Sequence, residues 1–380
     1  MNVAVAGAGP AGSLLAWRLA RDGARVTVFD ASHPREKPCG GGVTAKALAL
    51  LPEAPADDPL PAREVDACRF ESGAGEAVDV PLRRPVVVAA RRELDAWLLR
   101  RAVSAGARHA AERVTGVDAE GGLWTSAGHG GRYDVVVGAD GAGSLVRRTL
   151  LAPVPKERLV MAAGWFAPGA APMLVRFVPG LDGYLWLFPR PDHVGVGICT
   201  PLAGVPTRAL LDRLESEVSR WFPALYEPDG GRYAHTIPSP SADPRSILEV
   251  AGDRWALVGD AAALADPITG EGIFYALSSA LALAETLRKD GSPARYPARA
   301  LDDFGRDLLK AAALRDRFYS PGFARRMIDY AARSRAVRAI LGDLVLGEQG
   351  YAGLKRRLLV AAPRFVLEWA WSRLAPQSLR

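Results

Sequence analysis

The chain has 380 residues, 49% of them apolar and 24% charged, and a formal net charge of +6. This is an ordinary globular profile, long enough for two interlocked domains with sizeable cores. The basic side chains are mostly arginine and no basic run is interleaved with aromatics, which argues against a nucleic-acid partner; the modest charge suits anionic cofactors or an anionic membrane surface. Three cysteines without paired spacing, Cys39, Cys68 and Cys199, argue against a disulfide framework or a metal site and make a reducing cytoplasm the expected location. No apolar run reaches the roughly 18 residues of a membrane span, and no signal peptide fits ahead of the first strand.

In chain order, residues 2–6 read as a buried strand, 11–20 as a helix and 25–30 as a second strand, the opening of a βαβ unit. A Pro- and Gly-rich loop at 34–42 precedes a helix at 44–51 and a Pro- and Asp-rich excursion at 52–61. Strands are expected at 65–80, 86–89 and 133–137, with a helix at 92–105. Alternation broken by Gly and Pro turns over 160–200 predicts an antiparallel sheet. A helix at 207–221, a strand at 255–258 and a long apolar helix at 271–288 follow, and from residue 301 onward the pattern is helical and arginine-rich. The expected fold class is α/β: a Rossmann-like dinucleotide domain (1–60, 91–155, 251–290), an inserted antiparallel-sheet substrate domain (61–90, 156–250) and a C-terminal helical region (291–380).

Gly7-Ala8-Gly9-Pro10-Ala11-Gly12 fits the GxGxxG pattern between that first strand and helix. Gly7 permits the tight turn, Gly9 lets a pyrophosphate approach the backbone, and Gly12 lets the helix pack closely, with its positive end toward the phosphates. Asp30 ends the second strand, where a carboxylate accepts hydrogen bonds from ribose hydroxyls. Two further strands end in acid–glycine turns, at Asp140-Gly141 and at Gly259-Asp260. Asp260 is placed for a ribityl hydroxyl, which points to FAD. The run from Asp266 and Pro267 to Gly270, Glu271, Gly272 and Ile273 then opens a helix. Its amides and dipole would face the pyrimidine edge of a flavin.

These three motifs resemble the FAD-dependent family that includes aromatic hydroxylases and geranylgeranyl reductases, over roughly residues 1 to 290. The resemblance implies a Rossmann-like FAD-binding domain with an inserted sheet covering the flavin. Arg91 is similar to that family's arginine near the FAD phosphates; a salt-bridged surface arginine is the alternative. Gly270-Glu271-Gly272-Ile273 looks like the reductase branch rather than the hydroxylase Gly-Gln-Gly, and Ala263 lies near the place of the hydroxylase histidine. Pro38-Cys39-Gly40-Gly41-Gly42 resembles the reductase Pro-Cys-Gly loop. Tyr184, Trp186 and Phe188 share one face of a strand and resemble the reductase Tyr-x-Trp-x-Phe-Pro signature, as does the following Val196-Gly197; such an aromatic wall suits an apolar, elongated substrate. Flavin halogenases need a lysine, and none occurs between Lys46 and Lys156.

The resemblance implies an FAD-dependent oxidoreductase that adds a hydride and a proton to a carbon–carbon double bond of an isoprenoid or lipid substrate. Cys39 is expected near that bond, as proton donor or as modulator of the flavin. A monooxygenase acting on an aromatic or polyketide ring and a non-catalytic prenyl-lipid carrier are the rivals; the intact acids at 140 and 260 argue against the carrier. No second dinucleotide motif is present, so the electron donor is either transiently docking NADPH or a small electron carrier. Residues 354–374 mix arginines with Leu, Val, Phe, Trp369 and Trp371, and Pro363 is expected to divide them into two helices. They read either as peripheral membrane contact or as a cap on the FAD domain.

Overall fold

The computed structural model describes residues 1–320 and 322–374, with residues 365–367 and 369–374 as backbone alone. The chain opens with β1 (Asn2–Ala6), α1 (Pro10–Arg21) and β2 (Arg25–Phe29). Next come β3 (Gly42–Val43), α2 (Ala45–Leu48), β4 (Arg63–Glu71), β5 (Ala77–Val88), α3 (Arg91–Ser104) and β6 (Arg108–Ala110). β7 (Val114–Val117), β8 (Gly122–Thr125), β9 (Gly128–Arg132), β10 (Val135–Gly138) and α4 (Leu145–Leu150) complete the first half. The second half runs through β11 (Leu159–Ala167), β12 (Leu174–Phe177), β13 (Tyr184–Pro189), β14 (Val194–Pro201), α5 (Thr207–Trp221), β15 (Tyr233–Pro238), α6 (Arg245–Leu248) and β16 (Trp255–Leu257). It ends in helices α7 (Ile273–Asp290), α8 (Tyr296–Ala300), α9 (Arg306–Phe318), α10 (Phe323–Arg333), α11 (Arg335–Val345) and α12 (Tyr351–Leu374).

Five parallel strands form one sheet in the order β16-β10-β1-β2-β6. Its central strands are continuous apolar runs (Val3, Ala4, Val5; Val135, Val136, Val137) because both faces are buried. α1 begins at a proline, which needs no backbone donor there, buries Leu14, Leu15 and Leu19 at helical spacing, and packs against α3 and α7. The strand order reverses at β1: the chain builds β2 and β6 on one side of it, then β10 and β16 on the other. Ligands of such sheets bind beyond the carboxyl ends of the strands at this reversal.

The second sheet has eight strands in the order β15-β11-β14-β13-β12-β4-β5-β3, antiparallel except for the β12–β4 pair. One face is sealed by α5, whose Leu210, Leu214 and Val218 pack on Leu185, Leu187, Val194, Val196 and Ile198. The other face carries Tyr184, Trp186 and Phe188. The alternation read from the sequence therefore divides β13 as expected, leucines to one core and aromatics to the opposite face. A third, three-stranded sheet (β7-β8-β9) spans residues the sequence left unassigned.

Three sequence expectations are corrected. Residues 65–80 form a hairpin, not one strand: the chain turns through Gly73 and Gly75, both at positive φ, and β5 continues to Val88 past Pro81 and Pro85. Those prolines fit because β4 and β5 lose register there, residues 82–85 lying between the Val65–Val86 and Ala67–Pro81 pairs. The helix expected at 44–51 is a single turn. Pro363 does not divide α12, which is continuous through it. The missing amide deprives only the Leu359 carbonyl one turn back, at a residue 65% exposed, where water can substitute.

Candidate active site

One cavity of about 780 Å³ lies between the carboxyl ends of the parallel sheet and the open face of the eight-stranded sheet. Its dinucleotide end is built from Gly7, Gly9, Ala11, Asp30, Arg91, Asp140 and Gly141. The three motif glycines play different parts. At Gly7, which sits at φ +102°, a Cβ would overlap the Ala139 carbonyl; at Gly12 it would overlap the Gly7 carbonyl. At Gly9 it would meet nothing within 4 Å, so that position is open space at the mouth of α1. No side chain caps α1 and no acid occupies its first turn, which leaves the positive helix end to an anion.

The strand-end acids are held in distinct ways. Asp30 accepts from the amide of Ala8 (2.9 Å) and from the amide and hydroxyl of Ser32 (2.8 and 2.5 Å). Burial pushes its carboxyl upward, but these hydrogen bonds outweigh it and keep it below the usual range. Asp140 caps α4, accepting from the Ser144 hydroxyl (2.5 Å) and the Leu145 amide (2.7 Å). Asp260 is paired with Lys37 at 2.7 Å. Burial again pushes upward, and Lys37 more than compensates, so Asp260 lies below its ordinary value. Arg91 is buried rather than at the surface, and forks onto Asp95 with two 2.8 Å hydrogen bonds.

Before α7, Asp266 accepts from the amides of Ile268 and Thr269 at 2.8 and 2.9 Å. This fixes the turn that brings Gly270, Gly272 and Ile273 to the cavity wall. Glu271 is held by Lys46 (2.8 Å) and the Thr44 hydroxyl (2.8 Å). Gly12, Gly259 and Pro267 do not line the cavity: Gly12 and Gly259 (φ +58°) shape the backbone beside it, and Pro267 faces a small adjoining void.

Above this floor, one row crosses the eight-stranded sheet in register: Tyr184, Cys199, Ala162 and His235. All four line the cavity. In the next row the Trp186 ring lies across Gly197, where any Cβ would overlap it. Phe188, on the same face as Tyr184 and Trp186, also lines the cavity. It lies against the Cys39 loop, where a Cβ on Gly40 or Gly42 would come within 2.6 and 2.9 Å of its ring. The Cys39 sulfur accepts from the Gly41 amide at 3.3 Å. Beyond Trp186 the cavity becomes apolar, between Phe70, Met173 and Phe177 on the sheet and Phe318, Met327 and Leu341 on α9–α11.

Sequence reasoning did not single out Lys37, His235, Arg190 or Glu36 as partners in the site. It also set Cys68 and Cys199 aside, yet both line the cavity. Burial keeps both as thiols, pushing Cys199 up to about 11 and Cys68 further. Lys37 carried one signal, as a rare lysine two residues before the loop cysteine; the others are joined to the site only by tertiary packing.

A glycine cradle, an uncapped helix start and three strand-end carboxylates around one cavity define a dinucleotide-dependent oxidoreductase. Residues 1–225 match the family described as FAD binding domain. Over 323 residues the chain is 31% identical to geranylgeranyl diphosphate reductase of Rhodobacter capsulatus, covering 76% of each chain. It is 31% identical over 307 residues to digeranylgeranylglycerophospholipid reductase 1 of Methanopyrus kandleri (73% and 77% covered). With menaquinone reductase of Mycolicibacterium smegmatis the identity is 30% over 390 residues (91% and 92% covered). A geranylgeranyl bacteriochlorophyll reductase-like protein of Thermoplasma acidophilum superposes with a TM-score of 0.74 at 20% identity, over 94% of this chain and 98% of that one. A flavin-dependent brominase shares the fold (TM-score 0.71, 20% identity, 96% and 100% covered). The chain belongs to the FAD-binding family, in its geranylgeranyl-reductase branch, and is an FAD-dependent oxidoreductase.

Proposed function

We propose that this protein saturates carbon–carbon double bonds of an isoprenoid chain of the geranylgeranyl type. The observation that carries the reading is the continuity of the cavity: the dinucleotide cradle opens, past the Cys39 loop and Trp186, into an arm walled by aliphatic and aromatic side chains. An extended hydrocarbon gains burial along that arm. Two of the relatives are named for geranylgeranyl compounds that differ in what is attached to the chain, which agrees with selection by the apolar arm.

The residues present fit FAD. The open space at Gly9 and the bare end of α1 would take the pyrophosphate, Asp30 the adenosine ribose, Asp260 the ribityl chain, and the Gly270–Gly272 amides the pyrimidine edge. Asp140 would act through the α4 turn it caps, and Arg91, buried at the dinucleotide end of the cavity, would lie near the phosphates. Bound in its reduced form, FAD would supply a hydride, and a proton would complete the saturation. The protein's own part is to lay the chain along Tyr184 and Trp186, to exclude water with the walls of the arm, and to present Cys39 Sγ near the reacting bond as proton donor or as modulator of the flavin. The two electrons come from NADPH docking transiently or from a small electron carrier.

The test is to incubate the reduced protein with geranylgeranyl compounds and weigh the products. Addition of two hydrogens per double bond supports the reading. Addition of oxygen would make the protein a monooxygenase, and unchanged lipid with tight binding would make it a carrier.

A further inference from the structure

Arg190 follows directly on β13 and is one of the largest side chains wholly removed from solvent. A guanidinium carries five donors and no acceptor, and burying it is costly unless those donors are placed. Here Nη1 donates to Glu36 Oε1 at 2.9 Å and to His193 Nε2 at 3.1 Å, and Nη2 donates to the Cys39 carbonyl at 2.7 Å. The cation lies 4.5 Å from the centre of the Phe166 ring. Because arginine can only donate, His193 Nε2 is the acceptor and Nδ1 carries the proton toward Asp192, 2.6 Å away.

The partners belong to separate parts of the fold. Glu36 and Cys39 sit on the loop between β2 and β3, whereas His193 closes the β13–β14 turn. Glu36 also accepts the first amides of α3, from Arg91 (3.2 Å) and Arg92 (3.1 Å), and α3 has no cap of its own. The same strand thus carries the aromatic wall at Tyr184 and Trp186 and, one residue past its end, the cation that grips the Cys39 peptide. Gly41 completes the grip. Its amide donates to the Cys39 sulfur, its carbonyl accepts from Ala89 at 3.0 Å, and at φ +87° only glycine fits easily.

We propose that Arg190 is a positioning residue: by holding the Cys39 carbonyl and Glu36 together, it fixes the Cys39 thiol at a set distance from the aromatic wall of β13. This rests on the reading that places Cys39 near the reacting bond. Its test needs no isoprenoid, so failure of the substrate reading and failure of this one give different results. The FAD-loaded protein is treated with iodoacetamide across a pH series, and the labelled cysteine is identified by peptide mass spectrometry.

Arg190→Met should change the Cys39 labelling rate by about tenfold or more, the scale of one lost charge-assisted hydrogen bond, and should move the pH midpoint of labelling. Arg190→Lys keeps the charge but cannot fork to two acceptors, so it should not restore the parent profile. Arg176→Met is the control. Arg176 is also buried in the same sheet and pairs with Glu71 and Glu217 at 2.7 and 3.3 Å, neither of which belongs to the Cys39 loop. Its loss should lower the melting temperature and leave Cys39 labelling unchanged. A parent-like rate and midpoint in folded Arg190→Met overturns the proposal, as does an equal change in Arg176→Met. Should Arg190→Met fail to fold, Arg190→Lys and Glu36→Gln carry the same test, and parent-like profiles in both overturn it.

Discussion

Glycines that share one motif need not share one role. A side chain at Gly12 collides with backbone, whereas Gly9 has ordinary extended geometry (φ −70°, ψ −176°) and free space where a side chain would go. Gly9→Val should therefore fold with a melting temperature near the parent's and yet purify colourless, while Gly12→Val should not fold; absorbance near the flavin bands together with circular dichroism separates the two. Retained yellow colour in Gly9→Val would contradict the phosphate assignment. His235 makes a second residue-scale prediction. Burial first, and Lys37 second, push its imidazole down to about 4, below its ordinary value near 6.5. Between those two values the unfolded chain binds the proton and the folded protein does not. Stability from this site is thus complete above about pH 6.5 and is lost as pH falls toward 4, by roughly 2–3 kcal/mol. His235→Gln should flatten that slope in urea titrations at pH 7 and pH 4.5, and an unchanged slope would remove His235 as its source. The glycine motif was legible because its spacing is local. The Lys37–Asp260 pair that sits beside His235 was not, since 223 residues separate its partners.

At the scale of elements, periodicity served well where one rule governs a whole segment. The βαβ opening, α5 and the two-faced β13 all follow from hydrophobic spacing. It failed where alternation runs on through a turn, as across Gly73–Gly75, and where strands are short and glycine-bearing, as in β8 and β9. Bound up with β13 is a feature that only the three-dimensional register reveals: Gly197 on β14 is the seat of the Trp186 ring. Gly197→Ala should displace that ring without deleting it. It should weaken binding of long prenyl chains while leaving FAD affinity within about threefold, because the dinucleotide end is built on the other sheet. Trp186→Ala should do the same at a larger cost in stability, about 3–5 kcal/mol. Flavin fluorescence titrations with and without a prenyl ligand read both affinities, and parallel loss of both ligands in a folded Gly197→Ala protein would contradict the wall assignment.

For the molecule as a whole, the proposed isoprenoid substrate raises the question of how a water-insoluble chain would reach a buried arm. No helix among the described residues is long and apolar enough to cross a membrane. The arm is roofed by α11, whose Leu341, Leu344 and Val345 line the cavity, and α11 packs against α12. On α12, Leu359 and Val360 are 65% and 73% exposed, each one helical turn from a cation, Lys355 or Arg356, with Arg364 a turn beyond Val360. Apolar side chains flanked by long cationic ones suit the interface of an anionic bilayer, the cations reaching up to the phosphates. Trp369 and Trp371, which entered the sequence argument, lie outside the described side chains and are not needed for it. The protein should sediment with vesicles containing phosphatidylglycerol at low salt, and less so at physiological salt. Deleting residues after Gly353 would be a blunt test, because it also removes the Arg357–Asp343 pair and the packing of Leu354. The double change Leu359→Glu with Val360→Glu touches only exposed positions. It should abolish sedimentation while the protein stays yellow and melts as the parent does. Sedimentation equal to the parent's in that variant, or none by the parent at either salt, would leave α12 as a cap on the fold and require the isoprenoid to be delivered by a soluble carrier.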